Sequence, residues 1–180
     1  DLQVVVFDGG AASVRNVGKV KSSGLEGSAT MAFGENFDFF LALSWLDSEA
    51  TELQSICGLA DPEGCEGSPL FWAPEYTGAA VLNGYFDLGQ GEIKASIDAT
   101  YESERGGGWE GLSSTMIPSN TELAFRINYQ SPANWGIGAY VENLTDEFTY
   151  DGQNVNGGIN PSHFFGHRRP RTAGMRFTYE

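Results

Sequence analysis

The chain has 180 residues, enough for one domain with a sizeable core. Its 24 glycines, 13% aromatic residues and only 19% charged residues suit an all-β chain rich in turns and exclude a disordered one. The net charge of −14, with no basic stripe interleaved with aromatics, sets nucleic acid aside as a partner.

Strand-period alternation recurs along the chain. A weak strand is expected over Leu2–Asp8, and an intermediate link over Gly9–Arg15. A second weak strand, Lys19–Phe33, ends at the tight GEN turn, Gly34–Asn36. Phe37, Phe39, Leu41, Leu43 and Trp45 then share one face, with Asp38, Phe40, Ala42 and Ser44 on the other. A long connection follows, Asp47–Ala73. It carries Cys57 and Cys65 in CGLADPEGC, among glycine, proline and acids. Cysteines this close in a loop can reach each other and would pair in an oxidising compartment. Two free thiols are the alternative.

Tyr76–Leu88 is another weak strand, closed by GQG at Gly89–Gly91. Ile93, Ala95, Ile97, Ala99 and Tyr101 then oppose Lys94, Ser96, Asp98 and Thr100. A long loop is expected from about Ser103 to Asn120, with the glycine run Arg105–Gly108 flexible. In ELAFRINYQSPANWGIGAYVENL, Leu123, Phe125, Ile127 and Tyr129 alternate with Glu122, Ala124, Arg126, Asn128 and Gln130 up to the tight SPAN turn, Ser131–Asn134. Trp135, Ile137, Ala139 and Val141 continue beyond it. After a last long connection, Leu144–Arg169, Ala173, Met175, Phe177 and Tyr179 oppose Gly174, Arg176 and Thr178.

The pattern is about eight antiparallel strands and no helix. Successive connections alternate between tight and long, apart from the intermediate first link. In an up-and-down sheet they therefore fall on opposite rims, as in outer-membrane barrels. No run of about eighteen apolar residues exists, so no membrane-spanning helix is expected, but a barrel strand needs only about ten residues. The aromatics mark the strand ends. Phe37, Tyr129, Trp135 and Tyr179 lie near the tight-turn rim, and Trp45 and Tyr101 at the other. Tyr and Trp favour the level of lipid headgroups. The expected lipid-facing set is Phe37, Phe39, Leu41, Leu43, Trp45, Ile93, Ile97, Tyr101, Leu123, Phe125, Ile127, Tyr129, Trp135, Ile137, Val141, Met175, Phe177 and Tyr179. A soluble β-sandwich also alternates, and a carbohydrate-binding sandwich is the soluble alternative.

Four segments carry a family resemblance. They are NVGKVKSSGLEGSATMAF (Asn16–Phe33), APEYTG (Ala73–Gly78), VENLTDE (Val141–Glu147) and RPRTAGMRFTYE (Arg169–Glu180). In this order they resemble the late-barrel strands of TonB-dependent outer-membrane receptors. Each also has ordinary chemistry. Pro74 suits a strand start, Asn143 and Asp146 can bond their own backbone, and Gly174 admits close approach. The resemblance implies an N-terminal plug inside a barrel of twenty-two strands, and uptake of a scarce nutrient driven by the TonB complex of the inner membrane. Residues 1–180 would be the C-terminal segment of that barrel, with the plug and earlier strands outside this chain. The start at Asp1, and a last residue Glu180 where the family usually has an aromatic, fit a piece of a longer protein. The expected location is the bacterial outer membrane, with long loops extracellular and the C-terminus periplasmic.

No catalytic set emerges, and no enzyme or cofactor is expected. HFFGH, His163–His167, spaces two histidines as a metal helix would, but in a loop, so loop packing is the simpler reading. DGQNVNGG, Asp151–Gly158, is similar to a calcium loop but lacks a closing glutamate. Trp72, Trp109, Tyr150, Arg168 and Arg169 are candidate substrate contacts, with loop-to-loop packing as their alternative role. Asp38, Asp98, Glu122 and Arg126 would form a solvated or plug-contacting wall, or line a substrate path. The expected partners are membrane lipid and lipopolysaccharide, the plug, TonB and a small-molecule nutrient: siderophore, vitamin or carbohydrate. A self-contained eight-stranded barrel with an adhesive or structural role is the alternative function.

Overall fold

The structure, a computed structural model, describes residues 2–8, 11–53, 67–70, 72–106, 116–156 and 162–179. The strands are β1 (Leu2–Asp8), β2 (Ala11–Phe33), β3 (Phe37–Leu53), β4 (Tyr76–Asp87), β5 (Glu92–Glu102), β6 (Arg105–Gly106), β7 (Met116–Ile117), β8 (Asn120–Gln130), β9 (Trp135–Glu142), β10 (Tyr150–Asn156), β11 (Ser162–His167) and β12 (Thr172–Tyr179). Eight form one sheet in the order β1-β2-β3-β4-β5-β8-β9-β12. Every pairing in it is antiparallel, so the strands run up and down, as the alternation predicts.

The register decides what this sheet presents. Residues directly opposed in an antiparallel pair point to the same face. Leu41 lies opposite Ala29 and Ala80. Ile97 lies opposite Leu82 and Phe125. Phe125 faces Val141, and Ile137 faces both Tyr129 and Phe177. One parity therefore runs unbroken from β2 to β12 and collects every side chain of the expected lipid-facing set. Leu25, Met31, Phe33, Leu82 and Phe86 join it through the same ladders. A slip of one residue in any ladder would invert that strand's contribution.

Nothing described packs over this face. Ile97 is 50% exposed, Ile137 41% and Phe177 67%. The buried apolar residues among those described are Ala50 and Ala124, which have the opposite parity, and Ile117, which lies in the separate β6–β7 pair. The elements with substantial contact are ladder neighbours, plus β7 against β10. A sandwich would bring a second sheet onto Leu41, Ile97, Ile127 and Ile137. An apolar face of this extent is instead what an interaction surface presents.

The aromatics form two belts. On the tight-turn side Phe37 meets Phe86 edge-on at 5.7 Å, over Gly84. Tyr129 contacts Trp135 at 5.3 Å, and Trp135 stacks on Phe177 at 6.5 Å. On the other side Trp45 lies opposite Tyr76, with Tyr101 one strand further on. From Phe37 to Trp45 the chain advances about 26 Å along the strand, close to the apolar height of an outer-membrane barrel. The Trp45 indole N–H donates to Glu75 at 3.3 Å, its polar edge turned to the loop side.

Two strands overrun this band. β2 has 23 residues and β3 has 17, starting before Lys19 and ending beyond Trp45. Apolar alternation stops there because both faces become polar, but the ladder continues, with Lys21 opposite Glu49. Opposite charges placed so are mildly favourable. β1 pairs with this overrunning part, Leu2 opposite Gly18.

The tight turns lie together at the other rim. Gly91 sits at φ 148°, and a Cβ there would stand 2.6 Å from both the Gln130 carbonyl and the Tyr129 hydroxyl. That hydroxyl donates to the Gln90 carbonyl at 2.7 Å, tying the β4–β5 turn to β8. Asn134 takes φ 61°, which closes SPAN, and Ser131 N–H donates to the Trp135 carbonyl at 2.8 Å.

Two outcomes follow from the faces and the turn. Ile97→Arg should impair membrane assembly, at a cost of about 2–4 kcal/mol near the midplane, whereas Ser96→Arg on the opposite face should be tolerated. Heat-modifiable migration of the intact protein reads the difference, and equal tolerance of both would void the facing. Gly91→Ala should lower the unfolding free energy by about 1–3 kcal/mol, measured by urea titration in detergent micelles.

Candidate functional site

The inner face is polar, and its charges form a chain. Asp98 on β5 bonds Arg126 of β8, and the other terminal nitrogen of that guanidinium lies 3.8 Å from Glu142 on β9. Glu142 also lies 4.0 Å from Arg169. Near the tight turns, Asp38 accepts from the Asn83 amide at 2.8 Å. Lys94 stands over the Tyr85 ring at 5.2 Å. Three of the four expected wall residues, Asp38, Asp98 and Arg126, thus find partners on neighbouring strands rather than standing bare. Glu122 lines a cleft considered below.

Glycines let the inner face close up. Gly174 lies opposite Tyr140, and a Cβ at 174 would meet the phenol oxygen at 2.5 Å. The expected close approach is therefore that of an aromatic ring. Gly138 is covered in the same way by the Asn128 side chain.

Where β9 leaves the sheet, Asn143 organises the turn. It is 5% exposed and takes φ 49°. Its carboxamide oxygen accepts from Glu147 N–H at 2.9 Å. Its amide donates to the carbonyls of Glu147 at 2.9 Å and Arg169 at 3.2 Å. Asp146, at φ 56°, accepts from the Arg171 N–H at 3.1 Å. Asn143 bonds its own local backbone as expected, whereas the Asp146 carboxylate reaches the distant Arg171 N–H, and together they fasten the far end of the β9–β12 connection.

That fastening creates a cleft of about 430 Å³ lined by Glu122, Glu142, Asn143, His167, Arg168 and Arg169. It lies on the inner side, at the loop end. Two of the candidate substrate contacts, Arg168 and Arg169, meet here. Arg169 has an 86% exposed side chain, so its guanidinium is open to a ligand. Arg168 is held more firmly, 2.7 Å from Glu102.

Trp72 and Tyr150 lie along the same end of the sheet. Trp72 is 56% exposed and has φ 60°, a strained conformation for a bulky residue. Its N–H donates to the Gly106 carbonyl at 2.7 Å. Tyr150 is opposite His167 in the β10–β11 ladder. The His167 ring packs on Phe148 at 5.1 Å, as loop packing would have it. Trp109, the cysteine pair Cys57 and Cys65, and the side chains of His163, Asp151 and Asn154 lie outside what the structure describes. Among the described residues, no group of three or more His, Cys, Asp and Glu is placed to hold a metal.

The long connections contain structure that alternation does not signal. β6 pairs with β7, and β10 with β11. Arg105, expected in a flexible glycine run, is held in β6 with a 9% exposed side chain, 2.8 Å from Glu102. Glu102, Glu142 and Asn143 are therefore members of the site that sequence reasoning did not single out as such. Glu102 and Glu142 share the inward parity of Asp98 and Arg126, and that parity is the signal that points to them.

The family model for the TonB-dependent receptor-like β-barrel matches residues 1–144. A comparison with curated proteins gave no match. Among solved structures, the ferric yersiniabactin uptake receptor FyuA of Yersinia pestis is similar, with a TM-score of 0.76 and 20% identity over 93% of this chain and 24% of that one. The siderophore receptor PiuA of Acinetobacter baumannii gives 0.75 and 18% over 97% and 24%. The ferric preacinetobactin receptor BauA of the same species gives 0.69 and 18% over 98% and 25%. The chain spans about a quarter of the length of these structures, and the likeness is one of fold.

Asn143→Ala removes one acceptor and two donations from a buried turn. It should cost about 1–3 kcal/mol and speed limited proteolysis within residues 144–171, read by mass spectrometry of the fragments.

Proposed function

The chain belongs to the TonB-dependent receptor-like β-barrel family, and from that premise we propose that it forms the late wall and part of the capture mouth of an outer-membrane receptor for energised nutrient uptake. Members of this family are receptors and transporters, not enzymes. One observation carries the reading: a single register places the whole apolar set on one uncovered face and the charged chain on the other. Lipid tails and lipopolysaccharide would solvate the first face. A plug and a water-filled path would meet the second. The long connections would be extracellular, and the tight turns with the C-terminus periplasmic.

As substrate class we propose a metal–siderophore chelate. One of the three similar structures is named a siderophore receptor, and the other two are named as receptors for ferric yersiniabactin and ferric preacinetobactin. The mouth of this chain also offers an exposed guanidinium at Arg169 and an exposed indole at Trp72. Together they suit an anionic ligand with flat aromatic or amide groups. Capture would be followed by plug rearrangement when TonB pulls, as the family implies. Vitamin and carbohydrate ligands find no such support. A self-contained eight-stranded barrel needs its first and last strands to pair, whereas among the described residues this sheet runs open from β1 to β12.

Uptake of radiolabelled ferric siderophores by iron-starved cells tests the proposal. Deleting the intact gene should abolish uptake of at least one chelate, and a protonophore should do the same in the parent strain. Uptake of every chelate that survives the deletion would remove the substrate assignment. In the intact receptor, Arg169→Ala and Trp72→Ala should each raise the Kd of that chelate by roughly tenfold, measured by tryptophan fluorescence quenching.

A further inference from the structure

Glu102 ends β5 on the inner face, and two arginines from different connections converge on one of its oxygens. Arg105, which opens β6, places Nη1 2.8 Å from Glu102 Oε2. Arg168, just beyond β11, places Nη2 2.7 Å from the same oxygen. The arginine side chains are 9% and 18% exposed, and the glutamate 33%. Pairs this sheltered are screened less than surface ones.

The main chain around this node is tied on every side. Arg168 N–H donates to the Thr149 carbonyl at 3.0 Å. The Gly106 carbonyl, next to Arg105, accepts the Trp72 N–H. Ser103 N–H donates to the Tyr76 carbonyl at 2.9 Å. β7 packs against β10. Three long connections thus meet within a few residues of one carboxylate.

We infer that Glu102 is a positioning residue that couples the β5–β8 and β9–β12 connections, and through Gly106 the Trp72 segment, into one unit at the mouth. A carboxylate oxygen carries two lone pairs and can serve two guanidinium donors at once. The consequence is asymmetric. Losing one arginine leaves the other bonded. Losing the carboxylate sets two like charges against each other and loosens both connections together, although their other contacts remain. That this unit presents Trp72 and Arg169 to a ligand rests on the function proposed above, but the coupling itself does not.

Hydrogen exchange on the intact receptor in detergent micelles tests it without any ligand. Glu102→Gln should speed exchange by about tenfold in residues 103–106 and in 162–168 alike, leaving the 131–134 turn unchanged. Arg105→Ala should act on the first segment and Arg168→Ala on the second. Exchanging the charges, Glu102→Arg with Arg168→Glu, should restore slow exchange in 162–168 and not in 105–106. A Glu102→Gln effect confined to one connection, or a charge exchange that restores neither segment or both, would overturn the coupling. If Glu102→Gln does not assemble, Glu102→Asp keeps the charge and withdraws it by one methylene. It should loosen both segments to a smaller degree, and loosening of one alone would overturn the inference equally. Failure of the wild-type protein to migrate as a heat-modifiable barrel would sink the receptor reading and leave this coupling standing.

Discussion

Hydrocarbon offers no partner to a peptide group, so a strand in it must give every N–H and C=O to its neighbours. That constraint fixes the ladder, and the ladder fixes everything else here. Because side chains alternate along a strand, an unbroken antiparallel ladder has two faces and no freedom to mix them. From β2 to β12 the ladders keep one parity, so Leu41, Ile97, Phe125, Ile137 and Phe177 share a face with no charge among them. Asp98, Arg126 and Glu142 are forced to the other, where they satisfy one another.

The two rims solve different problems. At the tight-turn rim the chain reverses in few residues, and glycine and asparagine supply the left-handed backbone this requires: Gly34, Gly89 and Asn134 all have positive φ. Aromatic rings pack over the turns and leave them little freedom. At the loop rim β2 and β3 overrun the apolar band, and short ladders stiffen the connections. Charge does there what rings do at the other end. Arg105, Arg168, Arg169 and Arg171 each lie within 4.0 Å of a carboxylate. Among the described residues, the loop rim is therefore held by ladders and ion pairs, and if it serves capture as proposed, such contacts would be in place before a ligand arrives.

Much of this was legible in the residues. Strands with one wet and one greasy face announce themselves, so the eight sheet strands were readable from alternation, three of them weakly, their up-and-down arrangement from the alternating tight and long connections, and the tight turns at Gly34–Asn36, Gly89–Gly91 and Ser131–Asn134 from their own residues. Asn143 and Gly174 were readable from their local chemistry, whereas the partner of Asp146, the distant Arg171 N–H, was not. The strand extensions were not, because beyond Trp45 mostly polar residues such as Asp47, Ser48, Glu49 and Thr51 occupy both faces and set no apolar period. Nor were β6, β7, β10 and β11, short local hairpins within the long connections whose residues show no clean apolar alternation. Arg105 shows the limit best. Beside a glycine run it looks unconstrained, and only the fold brings it to Glu102 together with Arg168. The resemblance rested partly on the closing segment Arg169–Glu180, whereas the family match covers residues 1–144.

The central claim is that lipid solvates the apolar face. Single nitroxide labels placed in turn at each position from Ile93 to Tyr101, in the intact receptor reconstituted into bilayers, measure it directly. Labels at 93, 95, 97, 99 and 101 should collide freely with dissolved oxygen and poorly with a water-soluble nickel chelate, and those at 94, 96, 98 and 100 should do the reverse. Uniformly low accessibility to oxygen at the odd positions would mean that protein, not lipid, covers that face.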